Sequence, residues 1–305
     1  MIEIRPCRDD ADERVSLEIY NAVWPAAAIT MAEVESFKTM MRDYGDHLAV
    51  VGGGAVGAAA VAISPTQPGV GLAFVTVLAE RRGQGAGTML YAAASRWLAE
   101  RGIEELDAPV PEDDERSLAW ARRRGFREVE RDSRLVLDLP AIEPPSLDPP
   151  PGVEIVAWAG RPELARGIYQ VACEAYPDIP QDRHRTMEPF EDWVEHDLDR
   201  PDIPPTATFV ALAGDEVIGY AILNVTGARP RDADHAMTGV KRRWRGRGVA
   251  GALKRAQIAW AKEQGFERLQ TQNEIRNEPI RRLNERLGYR VVPGRVIVRG
   301  PIARS

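Results

Sequence analysis

The sequence predicts an α+β protein of two tandem domains, each a mixed, largely antiparallel central sheet flanked by helices, and two observations carry that expectation. The glycine-rich stretch Arg82-Gly-Gln-Gly-Ala-Gly87 returns as Arg245-Gly-Arg-Gly-Val-Ala250, each copy between an apolar strand and a long helix. The offset of 163 positions holds well beyond the glycines, pairing Val77 with Val240, Leu90 with Leu253, Trp97 with Trp260, Leu106 with Leu269, and Gly125-Phe126 with Gly288-Tyr289. A repeat in so constant a register is one structural unit used twice. The second observation is the order of patterns in each half: strand, two helices, three strands, helix, strand, helix, two strands. That order lacks the alternation of a βαβ series.

In the first half, Ile2 to Arg5 alternates as a strand and stops at Pro6, and Val15, Leu17, Ile19 and Val23 give Asp12 to Trp24 a helical period. Thr30 with Glu33 three residues on forms a capping box for a second helix. Leu48 to Val51 and Val56 to Ile63 flank Gly52-Gly-Gly54 as a hairpin, and a third strand, Leu72 to Leu78, runs into the glycine loop. Ala86, Leu90, Ala93 and Trp97 then mark one helix face, ending near Gly102. A strand from Ile103, a helix from Glu115 to Arg124, and two strands, Phe126 to Arg131 and Arg134 to Leu139, complete the half. Six prolines between Pro140 and Pro151 favour extended chain, so 140–152 reads as a linker between domains at 1–139 and 153–305. The second half repeats the order, with Gly57 and Gly219 at an offset of 162, which places a one-residue indel between hairpin and loop.

Composition narrows the function classes. A net charge of −6 and a pI near 5.5 argue against a nucleic-acid binder, the basic run Lys241 to Arg247 being confined to one turn. Cys7 and Cys173 have no CxxC or histidine company, so neither a disulfide framework nor a metal site is expected. The N-terminus has no signal-peptide core, and no apolar run approaches the ~18 residues of a membrane span. The expectation is a soluble, cytoplasmic protein with no membrane partner.

The loop supplies the chemistry. Consecutive N–H groups in a glycine-rich turn that opens a helix lack intrahelical partners, and the helix dipole adds positive potential there. Gly83, Gln84, Gly85, Ala86 and Gly87, with Gly246, Arg247, Gly248, Val249 and Ala250 in the second copy, thus suit a phosphate or pyrophosphate, with Arg82 and Arg245 as added cations. Gly246 to Gly251 also satisfies GxGxxG, and Glu274 stands about where a dinucleotide fold places its ribose-binding acid. That alternative is disfavoured. The loop follows a hairpin rather than a first strand, and the first copy has Thr88 at the third glycine and Pro111 where the acid belongs.

The signature Arg82-x-x-Gly85-x-Gly87, repeated as Arg245-x-x-Gly248-x-Ala250, with a downstream helix ending in Gly-Phe or Gly-Tyr, resembles the GNAT acyltransferase superfamily over nearly the whole chain. The tandem plan is similar to that of mycothiol synthase-type proteins. The resemblance implies acetyl-CoA as co-substrate, its pyrophosphate on each loop and its pantetheine along the strands ending at Val77 and Val240. It implies an N-acetyltransferase acting on a primary amine of a small molecule by direct transfer in a ternary complex. The family's cofactor-binding asparagine is matched by Asn277 in the second half, whereas the first half has Asp114 at that position. The family's thiolate-protonating tyrosine falls on Ala121 and Asn284, so neither half keeps it. His235 and Glu274 are then the candidates for deprotonating the amine, and Asp178, in a loop similar to one lining acceptor sites, is a candidate substrate contact. The second domain is expected to be the catalyst and the first a degenerate copy. The alternative is a non-catalytic acetyl-CoA-binding sensor.

Overall fold

In the computed structural model, residues 1–303 are described apart from 66, 68, 180–186, 201, 275 and 276, with Asn273 and Glu274 described by backbone alone. The first sheet starts from a hairpin. β2 (Asp43–Val51) and β3 (Gly54–Ile63) turn through Gly52 and Gly53, whose φ of 58° and 84° other residues reach only with strain. β1 (Ile2–Pro6) pairs antiparallel with β2, and β4 (Gly71–Val77) antiparallel with β3. β4 and β5 (Glu105–Pro111) are parallel, paired at Gly71↔Leu106 and Leu72↔Asp107 before they part. Four helices accompany them: α1 (Asp10–Val23), α2 (Met31–Met40) with the Thr30–Glu33 capping box the sequence predicts, α3 (Ala86–Ala99) and α4 (Glu115–Arg122).

The strand that closes this sheet comes from the far end of the chain. β12 (Arg290–Pro301) pairs antiparallel with β5 from Arg295↔Pro111 to Pro301↔Glu105, giving the order β1-β2-β3-β4-β5-β12. Its Val296 and Val298 are buried with Val61, Ala73, Leu98 and Leu106, and Arg299 pairs with Asp107.

The second sheet has the same plan. β7 (Glu154–Ala157), β8 (Phe209–Ala213), β9 (Glu216–Val225) and β10 (Asp232–Val240) run antiparallel, and β10 is parallel to β11 (Arg268–Glu274) from Asp232↔Arg268 to His235↔Thr271. The closing strand is β6 (Arg127–Asp138), whose residues Asp132 to Asp138 pair antiparallel with β11. The helices are α5 (Ala165–Ala175), α6 (Phe190–Asp197), α7 (Val249–Glu263) and α8 (Glu278–Arg286).

The compact units are therefore Met1–Arg131 with Arg295–Ser305, and Asp132–Gly294. They differ from the division at 1–139 and 153–305 because each half ends in a strand that completes the other half's sheet. β6 is one continuous strand where the sequence predicts two, and its residues on either side of Arg131 belong to different units. The proline-rich stretch is not free either. Lys262 Nζ donates to the carbonyls of Leu139 (2.6 Å) and Ile142 (2.7 Å), and Arg255 to that of Asp148, which straps the segment along α7 within the second unit.

One buried acid gives the first unit a pH signature. Asp46 on β2 accepts from Ser16 Oγ at 3.0 Å and Tyr44 O–H at 3.1 Å, yet burial raises its pKa from 3.8 to about 6. Because the folded form holds its proton more tightly than the unfolded form, this residue's contribution declines as pH rises from about 4 to about 6. Asp46→Asn is expected to stabilise the protein at pH 7 by roughly 2 kcal/mol, with the gain gone by pH 4. Denaturant unfolding at the two pH values checks this, and an equal effect at both would show that ionisation carries no penalty.

Candidate functional site

Each glycine loop stands where two parallel strands separate. β4 continues to Val77 and β5 to Pro111 beyond their last shared pair, and β10 continues to Val240 and β11 to Glu274 in the second unit. Beside the loops, Gly57 pairs with Val77 and Gly219 with Val240, so the shifted glycines are true counterparts. A Cβ at Gly57 would lie 2.8 Å from the Thr76 carbonyl oxygen and 3.0 Å from Leu90, and one at Gly219 3.0 Å from the Gly239 oxygen and 3.2 Å from Leu253. These glycines let the helix after each loop pack directly on the sheet.

The glycines of the two loops adopt the same left-handed conformations. Gly83 and Gly85 have φ of 81° and 99°, Gly246 and Gly248 73° and 87°, and Gly85 and Gly248 are the left-handed N-caps of α3 and α7. No side chain caps either helix. Among the described residues, no hydrogen bond uses the N–H groups from Gly83 to Thr88 or from Gly246 to Gly251. Two rows of unpaired donors at helix N-termini are what an anionic ligand requires.

The loop arginines are held in the same way in both copies. Arg82 Nε donates to the Val77 carbonyl at 3.1 Å and Arg245 Nε to the Val240 carbonyl at 2.9 Å, so each braces the strand end to its loop. The remaining guanidinium faces a carboxylate. Arg82 meets Asp114 at 3.0 Å, while Asp114 also caps α4 through the Ser117 N–H. Arg245 meets Asp178 at 2.7 Å, and Arg242 grips the same carboxylate at 2.8 and 2.9 Å. These two arginines, Arg242 foremost, hold Asp178 down to a pKa of about 2. Asp178 is thus tied to the glycine-loop side of the unit. Pro180, which ends the loop singled out in the sequence, lies outside the described residues.

In the first unit the parted strands border a cleft of about 490 Å³, walled by Val75 and Val77 from β4, Ala108 and Val110 from β5, and Trp120 and Ala121 from α4. Tyr91 of α3 also lines it, against the rings of Trp120 and Phe126 at 5.4 and 5.8 Å. At the rim Arg124 stacks on Trp120 at 3.8 Å and donates to Thr88 Oγ, whereas Arg122 turns away to Glu115.

His235 is not at a solvent-facing strand start. It is buried beside a bulge in β10, with Nδ1 2.8 Å from Gln257 Oε1 and Nε2 bonded to the Tyr289 hydroxyl. Burial first, then the charge of Lys254, hold its pKa well below 6.5. Glu274 ends β11, and its side chain lies outside the described residues. Asn277 is the N-cap position of α8 but makes no capping bond with its side chain. Two residues escaped the sequence reading. Trp120 shapes the first cleft, and Lys254, only 1% exposed, lies 5.6 Å from the Tyr289 ring. The available signal was register, since Lys254 repeats the position of Tyr91.

The model of the acetyltransferase (GNAT) family matches residues 16–126 and 165–289. The chain belongs to that family. Membership supports acyl-group transfer as the general activity and acetyl-CoA as the family's usual co-substrate. Solved structures share the fold across the tandem arrangement. A tandem GNAT protein from the clavulanic acid biosynthesis pathway is 20% identical, with all of both chains covered and a TM-score of 0.78. A GCN5-related N-acetyltransferase from Sphaerobacter thermophilus is 21% identical over 100% of this chain and 96% of its own, with a TM-score of 0.75. A glucosamine N-acetyltransferase region of a fungal multi-domain β-N-acetylglucosaminidase is 18% identical over 98% of this chain, which spans 38% of that protein, with a TM-score of 0.72. No curated protein sequence matches this chain. Among the described residues no helix is long and apolar enough to cross a membrane.

Proposed function

We propose that the protein is an acetyl-CoA-dependent N-acetyltransferase that passes an acyl group directly to a primary amine of a small molecule. The observation that supports this best is the unpaired row of N–H donors at the mouth of each pair of parted strands. A pyrophosphate bound there would place an extended pantetheine between the strands, with backbone N–H groups near Val77 or Val240 beside the thioester carbonyl as oxyanion donors. The second lobe is the proposed catalyst. Asn277 keeps its side chain uncommitted to the helix cap, whereas Asp114 sets a carboxylate against the first loop's arginine. Glu274, at the end of β11, is the proposed acceptor of the amine's proton. His235 is less suited, because buried partners engage both ring nitrogens.

The counterparts of the family's acid, Ala121 and Asn284, are buried and carry no titratable group, which favours acetyl-CoA sensing as the second reading. Thermal-shift titration with coenzyme A, followed by thiol release from acetyl-CoA with a panel of primary amines, separates the possibilities. Stabilisation by coenzyme A with amine-dependent thiol release is the expected result. Stabilisation without release across the panel means a sensor, and stabilisation by NAD alone would remove the assignment altogether.

A further inference from the structure

The second unit contains a buried polar cluster that its repeat partner lacks. Lys254, His235, Gln257 and Tyr289 come together from α7, β10 and the residue just before β12, and each is less than a tenth exposed. By the 163-residue register, Lys254 and Tyr289 stand where Tyr91 and Phe126 stand in the first unit. The contacts agree with the register: Lys254 Nζ lies 5.6 Å from the Tyr289 ring centre, and the Tyr91 ring 5.8 Å from that of Phe126. Tyr91 lines the first cleft together with Ala121, the counterpart of Asn284. By the same register Lys254 and Asn284 stand in the second unit at the positions of two residues that line the first unit's cleft.

A lysine in this position has no structural justification on packing grounds. Among the described residues no hydrogen bond or ion pair reaches its Nζ, and an ammonium left unpaired in the interior is costly. Its neighbours do not neutralise it: His235 is neutral, and Tyr289 offers a ring face while its hydroxyl is bonded to His235. Removal from water pushes Lys254 down to about 7, so both protonation states are populated near neutrality. The His235–Gln257 bond packs beside it and fixes the Tyr289 ring through the second imidazole nitrogen.

We propose that Lys254 is the proton donor to the departing thiolate of coenzyme A in the second lobe, the task that neither Asn284 nor Ala121 can perform. This rests on the acetyltransferase reading above. As the amine nitrogen bonds to the thioester carbon, the C–S bond breaks and its electron pair goes to sulfur. The Lys254 ammonium gives that sulfur a proton, forming the free thiol, while the proton lost by the amine goes to Glu274. Solvent then returns both groups to their starting states.

The test uses free coenzyme A and the full-length protein, so it needs no knowledge of the acceptor. A cation beside the bound sulfur makes the thiol more acidic than its usual pKa of about 8.5. Ultraviolet titration of the bound thiolate should show about a tenfold rise in acidity in the wild type, lost in Lys254→Met and in Lys254→Gln. Because the chain has four lysines, Lys38, Lys241, Lys254 and Lys262, side-chain NMR can follow Lys254 in the same samples. Its signal should titrate near pH 7 and move when coenzyme A binds. Both variants should fold, since they remove a buried cation, and melting curves with and without coenzyme A confirm folding and binding. Coenzyme A binding with the same thiol acidity in wild type and variants overturns the proton-donor role and leaves the acetyltransferase reading standing. Failure of the wild type to bind coenzyme A removes both.

Discussion

A fragment comprising residues 1–139, produced alone, will lack a cooperative unfolding transition, although it contains every helix of the first unit. It lacks Arg295 to Pro301, which pair with β5 along its full length. Burial of Val296 and Val298 contributes about 1.5–3 kcal/mol each, before the ladder and the Arg299–Asp107 pair are counted. A typical domain's margin is about 5–15 kcal/mol, so this loss consumes most of it. Joining residues 295–305 to residue 131 through a flexible linker should restore a single urea transition monitored by circular dichroism. If 1–139 unfolds cooperatively without that addition, the exchanged strand is not a requirement for the sheet.

Gly294→Ala should be the most damaging single methyl group in the chain. A Cβ at this position would lie 1.9 Å from the Asp132 carbonyl oxygen, 3.0 Å from its carbon and 3.1 Å from the Arg134 nitrogen. All three are backbone atoms, so relief requires β12 to move rather than a side chain to turn. Such overpacking costs about 3 kcal/mol or more. Gly69 is the control, because a Cβ there meets nothing within 4 Å. Gly69→Ala should leave the urea midpoint nearly unchanged, and equal behaviour of the two variants would refute the close approach.

The residues show why some of this was legible in the sequence and some was not. Register across the repeat exposed both loops, because Gly85 and Gly248 occupy the same left-handed position and no other residue type does so without strain. The capping box at Thr30 was equally local. The exchange of β6 and β12 was hidden because alternation shows that a strand is half-buried, not which sheet it closes. At the Arg131–Asp132 junction the turn-forming pair Asp132-Ser133 reads as a break between two strands, yet β6 runs straight through it from one unit into the other. Lys254 was hidden for another reason. On a helical wheel a lysine among Leu253, Gln257 and Ile258 reads as a solvated edge, and only the position of Tyr91 in the repeat points inward. His235 was found as a titratable group, but its depth depends on the Tyr289 hydroxyl, which is distant in sequence. Asp178 was singled out by its loop alone, and its two arginine partners, which come from the turn after β10, are distant in sequence.

The exchanged strands also govern the order of events during synthesis. β5 is complete once Pro111 has been translated, yet its partner is translated about 190 residues later, an interval of roughly 10–40 s at ordinary elongation rates. Throughout that time the nascent chain presents an unpaired strand edge, the feature by which neighbouring chains on one message would bind each other. The ribosome thus releases a chain whose first sheet waits for its last strand, with that edge open until the end of synthesis.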